Sequence, residues 1–230
     1  MGPLSWNAAK FVLAAGTPIH LIVAGKGDTH AFINRQAVQI LQRDGFRHQA
    51  AILKKNLEII NKGVMSADQG WKCFAHYCHP HEKNGLKPWP DAATECHYLF
   101  ERALSKWRKG NKTKAFFLLG AAVHLVHDLC VPHHARGIAF GGHQVYEKWV
   151  RERCNEFAVA EGGIYNVHED PSQWVLHNSK IAWEYFPYVS LANVMTSYRM
   201  ATGVLLPLAQ RTTAGFFEFF LKTANGTQLY

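Results

Sequence analysis

From Lys114 to Leu129 the chain is strongly apolar, and the run stops just before Pro132. Apolar residues over this length, without alternation and closed by a proline, predict a buried central helix around which everything else must pack. Its few polar residues then become the strongest constraint on the fold. In a helix His124 and Asp128 stand one turn apart on the same face, so both reach one ion, while His127 points about a quarter turn away. A charged aspartate inside so apolar a helix needs a compensating cation. Metal ligation supplies one.

The remaining pattern is helical as well. Phe32, Ile33, Val38, Ile40 and Leu41 predict one helix, and Ile52, Leu53, Leu57, Ile59 and Ile60 a second that Gly63 ends. Trp71 to Pro90, with its prolines, glycines and histidines, reads as a loop. Ala92 to Trp107 forms a third helix closed by Gly110 and Asn111. His143 to Ala160 is a helix entered through Gly141-Gly142, and Gly162 to Pro171 is a loop. Further helices are predicted over about Trp174 to Tyr185, Leu191 to Leu206 and Leu208 to Thr223. With no alternating run and no internal repeat, the fold class is all-α, a single globular multi-helix domain of residues 25–230.

Composition narrows the chemistry. Fourteen histidines in 230 residues are an excess of the commonest side-chain metal ligand. The net charge of +8 suits an anionic partner such as a membrane surface or a phosphate ester. No Lys/Arg block with interleaved aromatics marks a nucleic-acid groove, so no nucleic-acid partner is expected. Five cysteines without a CxxC pair fit neither a disulfide framework nor a cysteine-rich zinc module, and read as packed thiols. Residues 1–24 contain an apolar stretch behind Lys10, broken by Gly16-Thr17-Pro18 and His20. It is too short and broken to span a bilayer, and is either a cleavable export signal or a retained extension. Cleavage would make the protein secreted or extracytoplasmic.

A second ligand pair stands at His143 and Glu147, one turn apart at the start of a helix, a spacing that lets an imidazole and a carboxylate share a metal. The same spacing also occurs in solvated ion pairs. His134, which follows the stop at Pro132, adds a third ligand and with water completes an open, catalytic-type site. Asp68 and His76, at a helix end and in the following loop, and His30, opening the first long helix, are further candidates. His79 and His81 are rivals to His76.

Taken together, Thr29-His30, Ser66-Ala67-Asp68, His76-Tyr77-Cys78-His79-Pro80, the run from Phe116 to His124-Leu125-Val126-His127-Asp128, Pro132-His133-His134-Ala135, His143-Gln144-Val145-Tyr146-Glu147 and Ala209 to Gly215 resemble the zinc-dependent phospholipases C. This family includes the catalytic domain of clostridial α-toxin and is related in fold to the fungal single-strand nucleases. The likeness runs in order from about Gly25 to the C-terminal helix.

The resemblance implies three zinc ions. Asp68, His76, His124 and Asp128 would hold the first, with Asp128 bridging to another. His134, His143 and Glu147 would hold the second, and His30 with Asp128 the third. In the family the third site also takes the amine of an N-terminal tryptophan, but Trp6 lies too far upstream and His20 stands nearest that place. Cleavage near Ile19-His20, substitution by the His20 imidazole, or a weakened third site are the alternatives. The segment between Asp68 and His76 is shortened, which loosens any choline preference, although Trp71, Phe74 and Tyr77 would still line a cationic pocket. Among the rival histidines, His76 has the family's His-x-x-x-Pro framing.

The implied activity is hydrolysis of the glycerol-side phosphodiester of phospholipids to a diacylglycerol and a phosphorylated head group, with Asp68 also deprotonating the attacking water. The expected partner is phospholipid at a membrane surface, and the expected state is a monomer without a protein partner. Two alternatives are a zinc nuclease of the same fold and a catalytically silent, membrane-associated metal-binding protein.

Overall fold

The computed structural model describes residues 27–139, 141–190 and 195–226. The N-terminal segment 1–24, and His20 with it, lie outside the described residues. The elements are α1 (Gly27–Arg43), α2 (Arg47–Ala67), a 3-10 segment (Gly70–Ala75), α3 (Ala92–Arg108), α4 (Lys112–Asp128) and α5 (Pro132–Ala135). They continue with α6 (His143–Arg153), a second 3-10 segment (Cys154–Phe157), α7 (Pro171–Glu184), α8 (Phe186–Ser190) and α9 (Met195–Ala224). Among the described residues no strand occurs, and the all-α expectation holds.

Helix α4 is buried on every side, from Ala115 to Asp128 with only Phe117 partly exposed, as its uninterrupted apolar sequence requires. Asn111 starts it by accepting a hydrogen bond from the Lys114 amide at 3.0 Å. Helices α2 and α3 flank it most extensively, and α9 and α7 close the other side. Asp91 caps α3 by accepting from the amides of Ala93 and Thr94 at 2.9 and 3.0 Å, and Asp170, followed by Pro171 at the first helical position, caps α7. Four cysteines, Cys78, Cys96, Cys130 and Cys154, are buried in these interfaces.

Four local expectations change. Helix α2 does not end at Gly63 but continues to Ala67. Gly63 is a packing residue. A Cβ there would overlap the Phe117 carbonyl oxygen, and a Cβ on Gly120 would overlap that of Ile60, so the two glycines let the α2 and α4 backbones touch. The loop expected from Trp71 begins as a 3-10 segment.

Helix α6 ends at Arg153 rather than near Ala160. The fully buried Gln210 of α9 captures the chain there, accepting from the Val159 amide at 2.8 Å and donating to the Phe157 carbonyl at 2.9 Å. The two predicted C-terminal helices are one, with Pro207 inside it. An internal proline costs about 3 kcal/mol, but Leu205, Leu206, Leu208 and Ala209 are buried around it. Burial at about 1.5–3 kcal/mol for each large apolar side chain outweighs that cost.

A candidate metal centre

Each candidate ligand is placed by an identifiable local cause. Asp68 is the first residue beyond α2, and His76 ends the 3-10 segment that follows. His124 and Asp128 lie on the last turn of α4. Pro132 starts the short helix α5, which carries His134. Gly141 and Gly142 then take φ of 74° and 97°, a consecutive left-handed pair that only glycine adopts without strain, and they turn the chain so that His143 opens α6 with Glu147 one turn on.

These elements converge on Asp128. Its Oδ2 is 2.9 Å from His76 Nδ1, 3.1 Å from His124 Nε2 and 3.8 Å from His134 Nδ1, while its Oδ1 is 3.6 Å from His30 Nε2. Asp68 Oδ1 stands 3.5 Å from His124 Nε2 and 3.8 Å from His76 Nδ1. Alongside, His143 Nε2 is 2.8 Å from Glu147 Oε1 and 3.0 Å from His134 Nε2, and His134 Nε2 is 3.4 Å from Glu147 Oε1. Three sets thus bring ligand atoms within 4.8 Å of one another: His30, Asp68 and His124; His76, His124 and Asp128; and His134, His143 and Glu147.

Whether a cation fits is decided by where the protons sit. His76 Nε2 donates to the Ala67 carbonyl at 3.2 Å, and His134 Nδ1 donates to the His76 carbonyl at 2.9 Å. Each neutral ring therefore turns a bare lone pair inward, His76 Nδ1 toward the Asp128 carboxylate and His134 Nε2 toward Glu147 and His143. Acceptors that face acceptors at 2.9–3.4 Å in a buried site repel unless a cation lies between them. Imidazole and carboxylate donors in sets of three or four are those zinc takes.

Charge and burial act together here. Burial alone would raise the Asp128 carboxyl, but the neighbouring His124, His134 and His76 imidazoles hold it well below the usual carboxylate range. Glu147 is likewise held down, against burial, by His143 and His134. Burial and the neighbouring His124 lower His76. Burial lowers His30 to about 4. His134 moves the other way: burial opposes its proton, but Asp128 and Glu147 together raise it.

The remaining candidates fall in distinct places. His76 is the histidine of its loop that meets Asp128. His79 and His81 instead lie against Trp183, with ring centroids 4.3 and 5.9 Å away. Tyr77 is buried and stacks on His134, centroids 4.9 Å apart, and Phe74 stacks on Trp89 at 4.3 Å. The side chain of Trp71 lies outside the described residues. Two more buried histidines lie beside the cluster, His127 and His133, to which the sequence reading gives no role at the site. His133 stacks on His143 with centroids 5.0 Å apart, and burial lowers it to about 3. Adjacency to His134 and Asp128 was the available signal for both.

A family model described as zinc dependent phospholipase C matches residues 29–189. A phospholipase C of Listeria monocytogenes is 26% identical over 227 residues, covering 86% of this chain and 78% of that protein. One from Clostridium perfringens is 25% identical over 232 residues, covering 84% of this chain and 58% of that protein. The chain therefore spans less than two thirds of the clostridial protein's length. The alpha toxin of Clostridium absonum superposes with a TM-score of 0.78 at 22% identity, over 89% of this chain and 66% of that one, a likeness of fold.

Proposed function

The chain belongs to the zinc-dependent phospholipase C family, and from that premise we propose that it hydrolyses the glycerol-side phosphodiester of phospholipids, releasing a diacylglycerol and a phosphorylated head group. The observation that carries this reading is the Asp128 carboxylate, buried at the end of an apolar helix with four imidazoles within 3.8 Å. So much buried ligand chemistry around one carboxylate is costly without bound cations.

Asp68, His76, His124 and Asp128 would hold one ion, His134, His143 and Glu147 a second, and His30 with Asp128 a third. Zinc, when bound, polarises phosphoryl oxygens and brings the pKa of water toward neutrality. The protein's own groups do the rest. The Ala67 and His76 carbonyls lock the His76 and His134 tautomers, so their lone pairs stay directed inward. Of the two carboxylates in the first ligand set Asp68 is the more exposed, its side chain 19% accessible against 6% for Asp128, and it would accept the proton of the attacking water. The alkoxide of the diacylglycerol leaves and takes a proton from solvent. Tyr77 and Phe74, on the segment joining Asp68 to the cluster, and Trp71 beside them are the aromatic candidates for contact with a cationic head group.

The test is release of phosphorylated head group from phosphatidylcholine and phosphatidylethanolamine vesicles by the zinc-loaded protein, with a single-stranded oligonucleotide as competing substrate. Hydrolysis of vesicles that a chelator stops and zinc restores is the expected result. Cleavage of the oligonucleotide with intact lipid would replace the proposal with a nuclease, and inertness toward both at full zinc loading would refute it.

A further inference from the structure

His127 is a buried polar group beside the cluster to which the proposed reaction gives no part. It lies on α4 at 2% exposure, one residue before Asp128. Its Nδ1 is 3.0 Å from Nδ1 of His30, and the two rings stack at 21° with centroids 5.2 Å apart. Its Nε2 is buried with no hydrogen-bond partner among the described residues. An orphaned nitrogen of this kind costs about 1–3 kcal/mol, and leucine would fill the space without that cost. Among the described residues, the one hydrogen bond of the His127 ring is to His30.

Two imidazole nitrogens 3.0 Å apart share one proton, so one donates and the other accepts. The opposite side of the His30 ring decides which. There Nε2 faces Asp128 Oδ1 at 3.6 Å. For Nε2 to offer a lone pair to an ion shared with Asp128, the His30 proton must sit on Nδ1, and the group placed to accept it is His127 Nδ1. We propose that His127 is a positioning residue that holds His30 in the Nδ1–H tautomer and so aims its bare Nε2 at a metal position beside Asp128. This rests on the reading of His30 as a ligand. A metal-binding histidine whose second nitrogen is oriented by a neighbouring acceptor gains about 10–100-fold in affinity over one left unoriented.

Zinc per chain and its affinity, by elemental analysis and chelator competition, are to be measured for the wild type and for His30→Ala, His127→Leu and His127→Asn. His30→Ala loses one zinc. His127→Leu holds that same zinc about 10–100-fold more weakly, and His127→Asn, whose Oδ1 takes the place of Nδ1, keeps most of the affinity. Wild-type affinity in the leucine variant, or equal losses in leucine and asparagine, overturns the positioning role while leaving His30 a ligand. An unchanged zinc count in His30→Ala overturns the His30 reading and this one with it. Long-range 1H–15N NMR of the zinc-loaded wild type gives a check independent of any variant: His127 is expected as the Nε2–H tautomer, and the Nδ1–H tautomer refutes the proposal.

Discussion

Replacing Gly120 with alanine tests whether the site depends on the contact between α2 and α4. In an ordinary helix this change stabilises by about 1 kcal/mol, because alanine is the better helix former. Here the new Cβ would overlap the Ile60 carbonyl oxygen and sit 2.9 Å from its carbonyl carbon. Carbon atoms normally approach to about 3.5 Å, and the obstacle is backbone, with no rotamer to yield. The helices must therefore part, loosening the packing of Leu53, Ile60, Phe116 and Leu119, all buried in the core. Overpacking costs about 1–3 kcal/mol and a clash against backbone falls at the upper end, so the net change is destabilising by about 1–2 kcal/mol. For a chain of this size that lowers Tm by about 2–8 °C. The same displacement widens the 3.5 Å approach of Asp68, just beyond α2, to His124 on α4, so zinc affinity falls with stability. Gly63→Ala acts on the same contact from the other side, meeting the Phe117 carbonyl, and the double variant loses less than the sum because the helices part only once. Thermal unfolding followed by circular dichroism, with chelator competition for zinc, reads both effects. An unchanged or raised Tm for Gly120→Ala would refute the reasoning.

Gly203→Ala supplies the contrast: its Cβ would meet only the Phe157 ring at 3.8 Å, on an exposed helical position, so it raises stability by about 0.5–1 kcal/mol. A drop in its Tm would show that the clash criterion fails. The zinc-free protein loses stability in mild acid. His30 and His133, lowered from 6.5 to about 4 and about 3, stay neutral in the fold while the unfolded chain protonates them. Stability thus falls as pH drops from 6.5 toward 4, by about 1.4 kcal/mol per pH unit for each. Asp128 and Glu147, both held low, extend the loss to more acidic pH, and His134, which is raised, works the other way, its contribution fading as pH climbs through its folded value. Urea midpoints of the chelated protein between pH 7.5 and 4 measure the balance, and a flat profile would contradict it.

Those site residues that lie close together in the chain were the legible ones. His124 with Asp128, and His143 with Glu147, follow from one helical turn, and His134 from the proline that stops the helix before it. Choosing His76 over His79 and His81 needed more than spacing, because three histidines in one loop are equivalent until tertiary packing sends two of them to Trp183. Gly63 and Pro207 misled for one reason: helix signals describe an isolated helix, whereas a carbonyl pressed against Gly63 and leucines buried around Pro207 come from elsewhere in the fold. Gln210, which holds the chain beyond α6 through a bond to Val159 51 residues away, left no local sign. His127 was visible in the sequence, but its contact with His30 spans 97 residues, a separation that periodicity does not reach.

The central claim is that Asp128 joins metal positions on one side of the α4 terminus. Anomalous diffraction at the zinc absorption edge, from crystals of the zinc-loaded protein, tests it most directly. The account predicts peaks within ligand distance of His76, His124 and Asp128, of His134, His143 and Glu147, and of His30 and Asp128. Zinc found elsewhere, with none at the first two sets, would contradict it.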